Sequence, residues 1–168
     1  MKKDSTKYLT SSAMFAALVL VLTYFHTPMP NANGGYVHLG DAAIFLAACI
    51  LPSPYACAVA AVGAGLADII SGFAIWAPAT IIIKILIVLM FTSEKNKILC
   101  KRNVVALAPA LFITVAGYYV SEAIIYGNWA TPVASVMGNV IQWLGSSIVY
   151  TLVAISLDKV NVKNTLFK

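Results

Sequence analysis

Tyr36, His38, Asp41, Asp68, Lys84 and Glu122 are the residues of this chain whose types invite chemistry, and each sits within or beside a strongly apolar stretch. An ionisable group in such a setting is costly and is kept for function or as the partner of another charge. Asp41 opens one apolar segment, Asp68 and Glu122 fall near the ends of two others, and Lys84 lies about two turns into a fourth. Asn139, Gln142, Trp143, Ser146 and Tyr150 recur at i, i+3, i+4, i+7 and i+11, one polar and aromatic helical stripe. Trp76, Thr80 and Lys84 share a face in the same way, as do Tyr118 and Glu122. Gathered into one pocket, these groups offer aromatic faces, amides, a carboxylate and a lysine. That inventory suits a small, flat, polar ring compound better than an inorganic ion.

Plainer readings stand beside these. Asp68 and Lys84 read equally as a buried ion pair joining two helices or as substrate contacts. Asp41 follows Gly40 and reads as a helix N-cap before it reads as a ligand contact. Trp76 and Trp129 fit an interfacial aromatic belt, whereas Trp143 lies too far into its segment for that. His26 and His38 are not spaced as metal ligands, and no metal or cofactor is expected. Cys49, Cys57 and Cys100 form an odd set without CxxC spacing and read as small packing residues. No Walker lysine loop, GxSxG or HExxH is present, so no catalytic residue is assigned.

The elements that must position these groups follow from composition. Hydrophobic residues make up 61% of the 168, charged residues only 10%, and mean hydropathy is +0.88. Soluble domains carry about a quarter charged residues, so the solvent for most of this surface is lipid. No signal peptide is invoked, because the first apolar segment lacks a small-residue cleavage site. Six segments are predicted as helices: about 8–26, 42–51, 55–71, 76–92, 104–126 and 132–157. The second is short for a crossing of about 20 residues and either tilts or begins inside the preceding loop, TPMPNANGGYVHLGD. Ten of the eleven basic residues cluster at the N-terminus, in 93–103 and at the C-terminus. Loops around 27–40, 72–75 and 127–131 contain neither Lys nor Arg. The positive-inside rule then places both termini in the cytoplasm and makes six the count that fits. The same clustering argues against a nucleic-acid groove. The expected fold is an all-α integral membrane protein, one six-helix domain over 1–168.

Three stretches carry a resemblance: Gly35-Tyr36-Val37-His38-Leu39-Gly40-Asp41, Leu66-Ala67-Asp68-Ile69-Ile70-Ser71-Gly72, and Trp76-Ala77-Pro78-Ala79-Thr80 followed by Lys84. With the small-residue pair Ala13 and Ala17 in the first helix, the chain resembles the substrate-binding S components of energy-coupling factor (ECF) vitamin transporters. It looks like the hydroxymethylpyrimidine, pyridoxine or riboflavin branch. The resemblance implies a bundle that binds a vitamin from outside beneath a lid made by the first outer loop. It also implies docking through Ala13 and Ala17 onto a transmembrane coupling subunit carrying two ATPases, with toppling in the membrane for release. Internal packing is the commoner use of such a pair.

The expected function is a high-affinity binding subunit without enzymatic activity, in a bacterial plasma membrane, ATP hydrolysis belonging to partner chains. Trp143 is expected to stack on the ring, with Asn139, Gln142, Glu122 and Lys84 supplying hydrogen bonds and Tyr118 and Asp68 beside them. Tyr36 and His38 are expected to close the lid. Hydroxymethylpyrimidine or a pyridoxine-like compound is favoured, riboflavin next. The rival is a self-sufficient proton-coupled carrier using Asp68, Lys84 and Glu122 as its relay, and a small membrane enzyme is a third reading.

Overall fold

A computed structural model describes residues 2–28 and 36–166. Its helices are α1 (Lys2–Tyr24), α2 (Gly40–Ile50), α3 (Ser53–Ile70), α4 (Ala77–Val88), α5 (Lys101–Tyr126), α6 (Val133–Lys159) and α7 (Val162–Leu166). Between α1 and α2, the two-residue strands β1 (Thr27–Pro28) and β2 (Tyr36–Val37) pair antiparallel, Thr27 opposite Val37 and Pro28 opposite Tyr36. The fold is a membrane-embedded helical bundle. Part of the loop expected to act as a lid, 29–35, lies outside the described residues.

α1, α3, α5 and α6 are long and apolar enough to cross a bilayer. Their outward faces carry large apolar side chains, among them Met14, Phe112, Ile124 and Leu152. Such faces suit hydrocarbon and have no other favourable solvent.

α2 is the centre of the bundle. Its sequence GDAAIFLAACI is apolar nearly all round, the pattern of a helix with no solvent face. All eleven of its residues are buried, and it packs on α1, α3, α4 and α6. At about 1.5 Å per residue it rises roughly 16 Å, well short of a bilayer. Of the two expectations for this segment, the structure takes the second: it starts off the outer loop, one residue after His38-Leu39. Its end is set by proline. Leu51 is extended (φ −94°, ψ 150°), as a residue preceding Pro52 must be, and Pro54 then occupies the first turn of α3.

Three boundaries differ from the sequence expectation by three residues or more, for physical reasons. α1 and α5 begin at Lys2 and Lys101 rather than 8 and 104, because hydropathy marks the bilayer-crossing part of a helix and is blind to its polar extension. α4 ends at Val88, four residues before the expected Thr92. The buried Asn103 side chain explains this: it accepts the Thr92 N–H at 2.8 Å and donates to the Thr92 and Ile98 carbonyls, both at 2.9 Å. Asp158 from α6 accepts the N–H groups of Ile98 (2.8 Å) and Leu99 (3.0 Å). The chain leaves the helix early to enter this clasp.

α1 meets α3 where a β-carbon on Gly63 would lie 2.8 Å from both the Ala16 carbonyl oxygen and Val19 Cβ. Glycine is required by this close approach. Ala16 and Val19 thus serve the internal contact, whereas Ala13 and Ala17 turn outward and are exposed.

Candidate substrate-binding site

A cavity opens at the end of the bundle opposite the basic clusters. It encloses about 550 Å³, part of it open to solvent, and is lined by Tyr36, His38, Asp68, Phe73, Trp76, Thr80, Tyr118, Glu122, Ser135, Asn139 and Gln142. Every helix from α3 to α6 contributes, and the β2–α2 connection supplies Tyr36 and His38.

The aromatic part gathers from loops. Tyr36 lies 4.8 Å from Phe73, 4.2 Å from His26 and 5.6 Å from His38 between ring centroids. The β1–β2 hairpin and the α3–α4 turn therefore close on each other through tilted, packed rings. The Tyr36 hydroxyl donates to Asp68 Oδ1 at 2.6 Å, a length typical of a hydroxyl bound to a charged carboxylate. Burial, and then Asp68, hold the Tyr36 phenol well above its ordinary pKa, so it remains a donor. Asp68 Oδ2 is buried and makes no well-formed hydrogen bond among the described residues.

The polar floor is a relay. Lys84 Nζ lies 2.7 Å from Asp41 Oδ1, with side-chain exposures of 0% and 1%. Asp41 Oδ2 accepts from Gln142 Nε2 at 3.0 Å. Lys84 also sits 5.3 Å from the centroid of the Tyr118 ring, whose hydroxyl meets Thr80 Oγ1 at 3.2 Å. His38 Nδ1 accepts the Gly40 N–H at 3.0 Å, which puts the ring proton on Nε2. Burial pulls the His38 pKa down to about 4, with Lys84 acting in the same direction and Asp41 against it. On the far wall Ser135 donates to Glu122 Oε1 at 3.1 Å.

Seven of the nine residues read from the sequence as substrate contacts line the cavity: Tyr36, His38, Asp68, Tyr118, Glu122, Asn139 and Gln142. Two do not. Lys84 is sealed beneath the floor by Asp41 rather than paired with Asp68, and Asp41 belongs to this ion pair and makes no N-cap hydrogen bond. Trp143 faces α5, where its indole N–H donates to the Leu107 carbonyl at 3.0 Å, so it is not placed to stack on a guest. The aromatic side chains that line the cavity are Trp76, Phe73, Tyr36 and Tyr118. Trp76 was marked by its shared face with Thr80 but read as a belt residue. Ser135 extends the α6 stripe one turn, Ser135, Asn139, Gln142, a signal available at i, i+4, i+7. Phe73 lies in a turn and carried no periodic signal. Among the described residues no three metal-ligating side chains converge.

A family model described as "ECF-type riboflavin transporter, S component" matches residues 3–159. A solved structure, reported as the S component of a bacterial ECF transporter, superposes with a TM-score of 0.75 at 20% identity. The match covers 92% of this chain and 97% of that one. At that identity the likeness shows a shared fold. No curated protein matches the chain.

Proposed function

The chain belongs to the ECF-type riboflavin transporter S component family, and on that premise we propose that it captures a small aromatic vitamin or vitamin precursor from outside the cell. A transmembrane coupling subunit with two ATPases then completes its uptake. The observation that carries the reading is the cavity's composition: four aromatic side chains and a set of buried hydrogen-bonding groups converge at one end of the bundle. At the other end Asn103, Asp158 and Lys163 spend their polar atoms on the α4–α5 loop. That asymmetry fits a binding subunit loaded from one side better than a carrier that rocks around its site, which needs a polar route to both faces. Single-ring pyrimidines and pyridines, and riboflavin, are the candidates. Exposure of Ala13 and Ala17 supports α1 as the face that meets the coupling subunit.

The test is to purify the chain alone in detergent, identify any co-purified small molecule by mass spectrometry, and titrate a vitamin panel against tryptophan fluorescence. One ring compound should bind without any ATPase present, with quenching carried by Trp76 and lost in Trp76→Phe. Trp76→Ala should cost about 1–3 kcal/mol of affinity. No bound compound and no quenching across the panel would refute the assignment.

A further inference from the structure

The cavity lacks a fixed cation, and this restricts its guests. Among the described residues its lining carries two carboxyl groups, Asp68 and Glu122, and neither Lys nor Arg. Lys84 does not reach the lining, and its charge is cancelled by Asp41 at 2.7 Å. His38 is neutral by geometry, because a ring that accepts the Gly40 N–H through Nδ1 is not imidazolium. His26 packs with its ring centroid 4.2 Å from that of Tyr36 but is not part of the lining. Residues 29–35 contain no Lys, Arg or His, so that stretch of the loop adds no cation either.

Acceptors, by contrast, are plentiful. Asp68 Oδ2 is buried without a well-formed hydrogen bond among the described residues. The Gln142 amide is oriented, because Asp41 as a carboxylate can only accept, so Nε2 must face it and Oε1 is left for a guest. Glu122 is a further carboxyl on the opposite wall, and whatever proton either carboxyl carries, neither can become a cation.

Resting on the function proposed above, we infer that the site selects its guest by charge. It takes neutral or cationic aromatic heterocycles bearing N–H and O–H donors, such as amino- and hydroxymethyl-substituted rings, and rejects their phosphate esters. An anion buried here would find no countercharge and would face two carboxyls, and an unpaired buried charge is strongly disfavoured. An amino-substituted ring finds an acceptor for each donor it brings.

Matched pairs test this on the purified full chain at neutral pH: pyridoxamine and its phosphate, hydroxymethylpyrimidine and its phosphate, riboflavin and flavin mononucleotide. Within any pair that binds, the phosphate ester should be weaker by on the order of 100-fold, and Glu122→Gln or Asp68→Asn should narrow the gap. An ester that binds within about threefold of its parent overturns charge selection while ring recognition stands. A gap that neither variant alters would mean discrimination by size, and this too overturns the inference. Binding by no member of any pair overturns the proposed function and this inference with it.

Discussion

Removing either member of the Lys84–Asp41 pair tests whether the floor of the cavity is a true buried ion pair. The two atoms are 2.7 Å apart with side-chain exposures of 0% and 1%, so neither charge can be rescued by water. Lys84→Met leaves the Asp41 carboxylate with only the Gln142 amide, 3.0 Å away. Asp41→Asn leaves an ammonium with the Tyr118 ring 5.3 Å from Nζ to the centroid and Asp68 as a more distant carboxyl. Leaving one buried charge unmatched costs about 3–5 kcal/mol, whereas a cation over an aromatic ring returns about 2 kcal/mol at best. Lys84→Met should therefore lose about 3–5 kcal/mol, over a hundredfold in the unfolding equilibrium at 1.4 kcal/mol per decade, and Asp41→Asn at least about 1–3 kcal/mol. The double variant should lose less than the two singles combined, because no charge is stranded and an amide at position 41 still accepts the Gln142 N–H. The assay is denaturant unfolding in detergent micelles followed by circular dichroism. Combining Lys84→Met with Asp158→Asn, at the other end of the bundle, gives the control, since those effects should come closer to adding. Losses under about 1 kcal/mol that add in the double would refute the buried pair.

Two further outcomes are expected. Ala13→Trp and Ala17→Trp lie on the exposed face of α1, so ligand binding by the isolated chain should be unchanged. Co-purification with the coupling subunit should fall sharply, and retained assembly would remove α1 as the docking face. The second concerns pH: His38 is held near a pKa of about 4 against an ordinary 6.5, so the unfolded chain binds its proton first. Its stabilising contribution is complete above about pH 6.5 and is lost as pH falls toward 4, by up to about 3 kcal/mol. Unfolding of the wild type and of His38→Asn between pH 7 and 4.5 should show a smaller acid loss in the variant, and parallel curves would contradict the placement.

The distribution of Lys and Arg, with Pro52 and Pro54, makes the six bundle helices α1–α6 legible in the sequence, whereas the five-residue α7 carries no such signal. Periodicity also marks faces of α5 and α6 that converge, since Tyr118, Glu122, Asn139 and Gln142 all line one cavity. It failed where a face had to be matched with its neighbour. Lys84 can turn toward α2 or α3 from the same helical position, and only the rotation of the packed helices chooses Asp41 over Asp68. Trp143 shares its stripe with Gln142, yet one residue is about 100° of helical rotation, enough to swing the indole from the cavity to α5. Asp41 looked like a cap because its place at a helix start is shared by capping residues and buried ion-pair partners alike. Phe73 was invisible for the opposite reason, since a turn has no period to read.

The enclosure of α2 bears on how the chain is made. Eleven residues are too few to hold themselves across hydrocarbon, where about 20 are needed. Since α2 touches α1, α3, α4 and α6 and no solvent, its residence in the membrane is conferred by those neighbours rather than by lipid. During synthesis this segment emerges before α3, α4 and α6 exist, so its final depth is settled only when later parts of the chain arrive to surround it. The element at the heart of the fold is thus among the last to acquire its place.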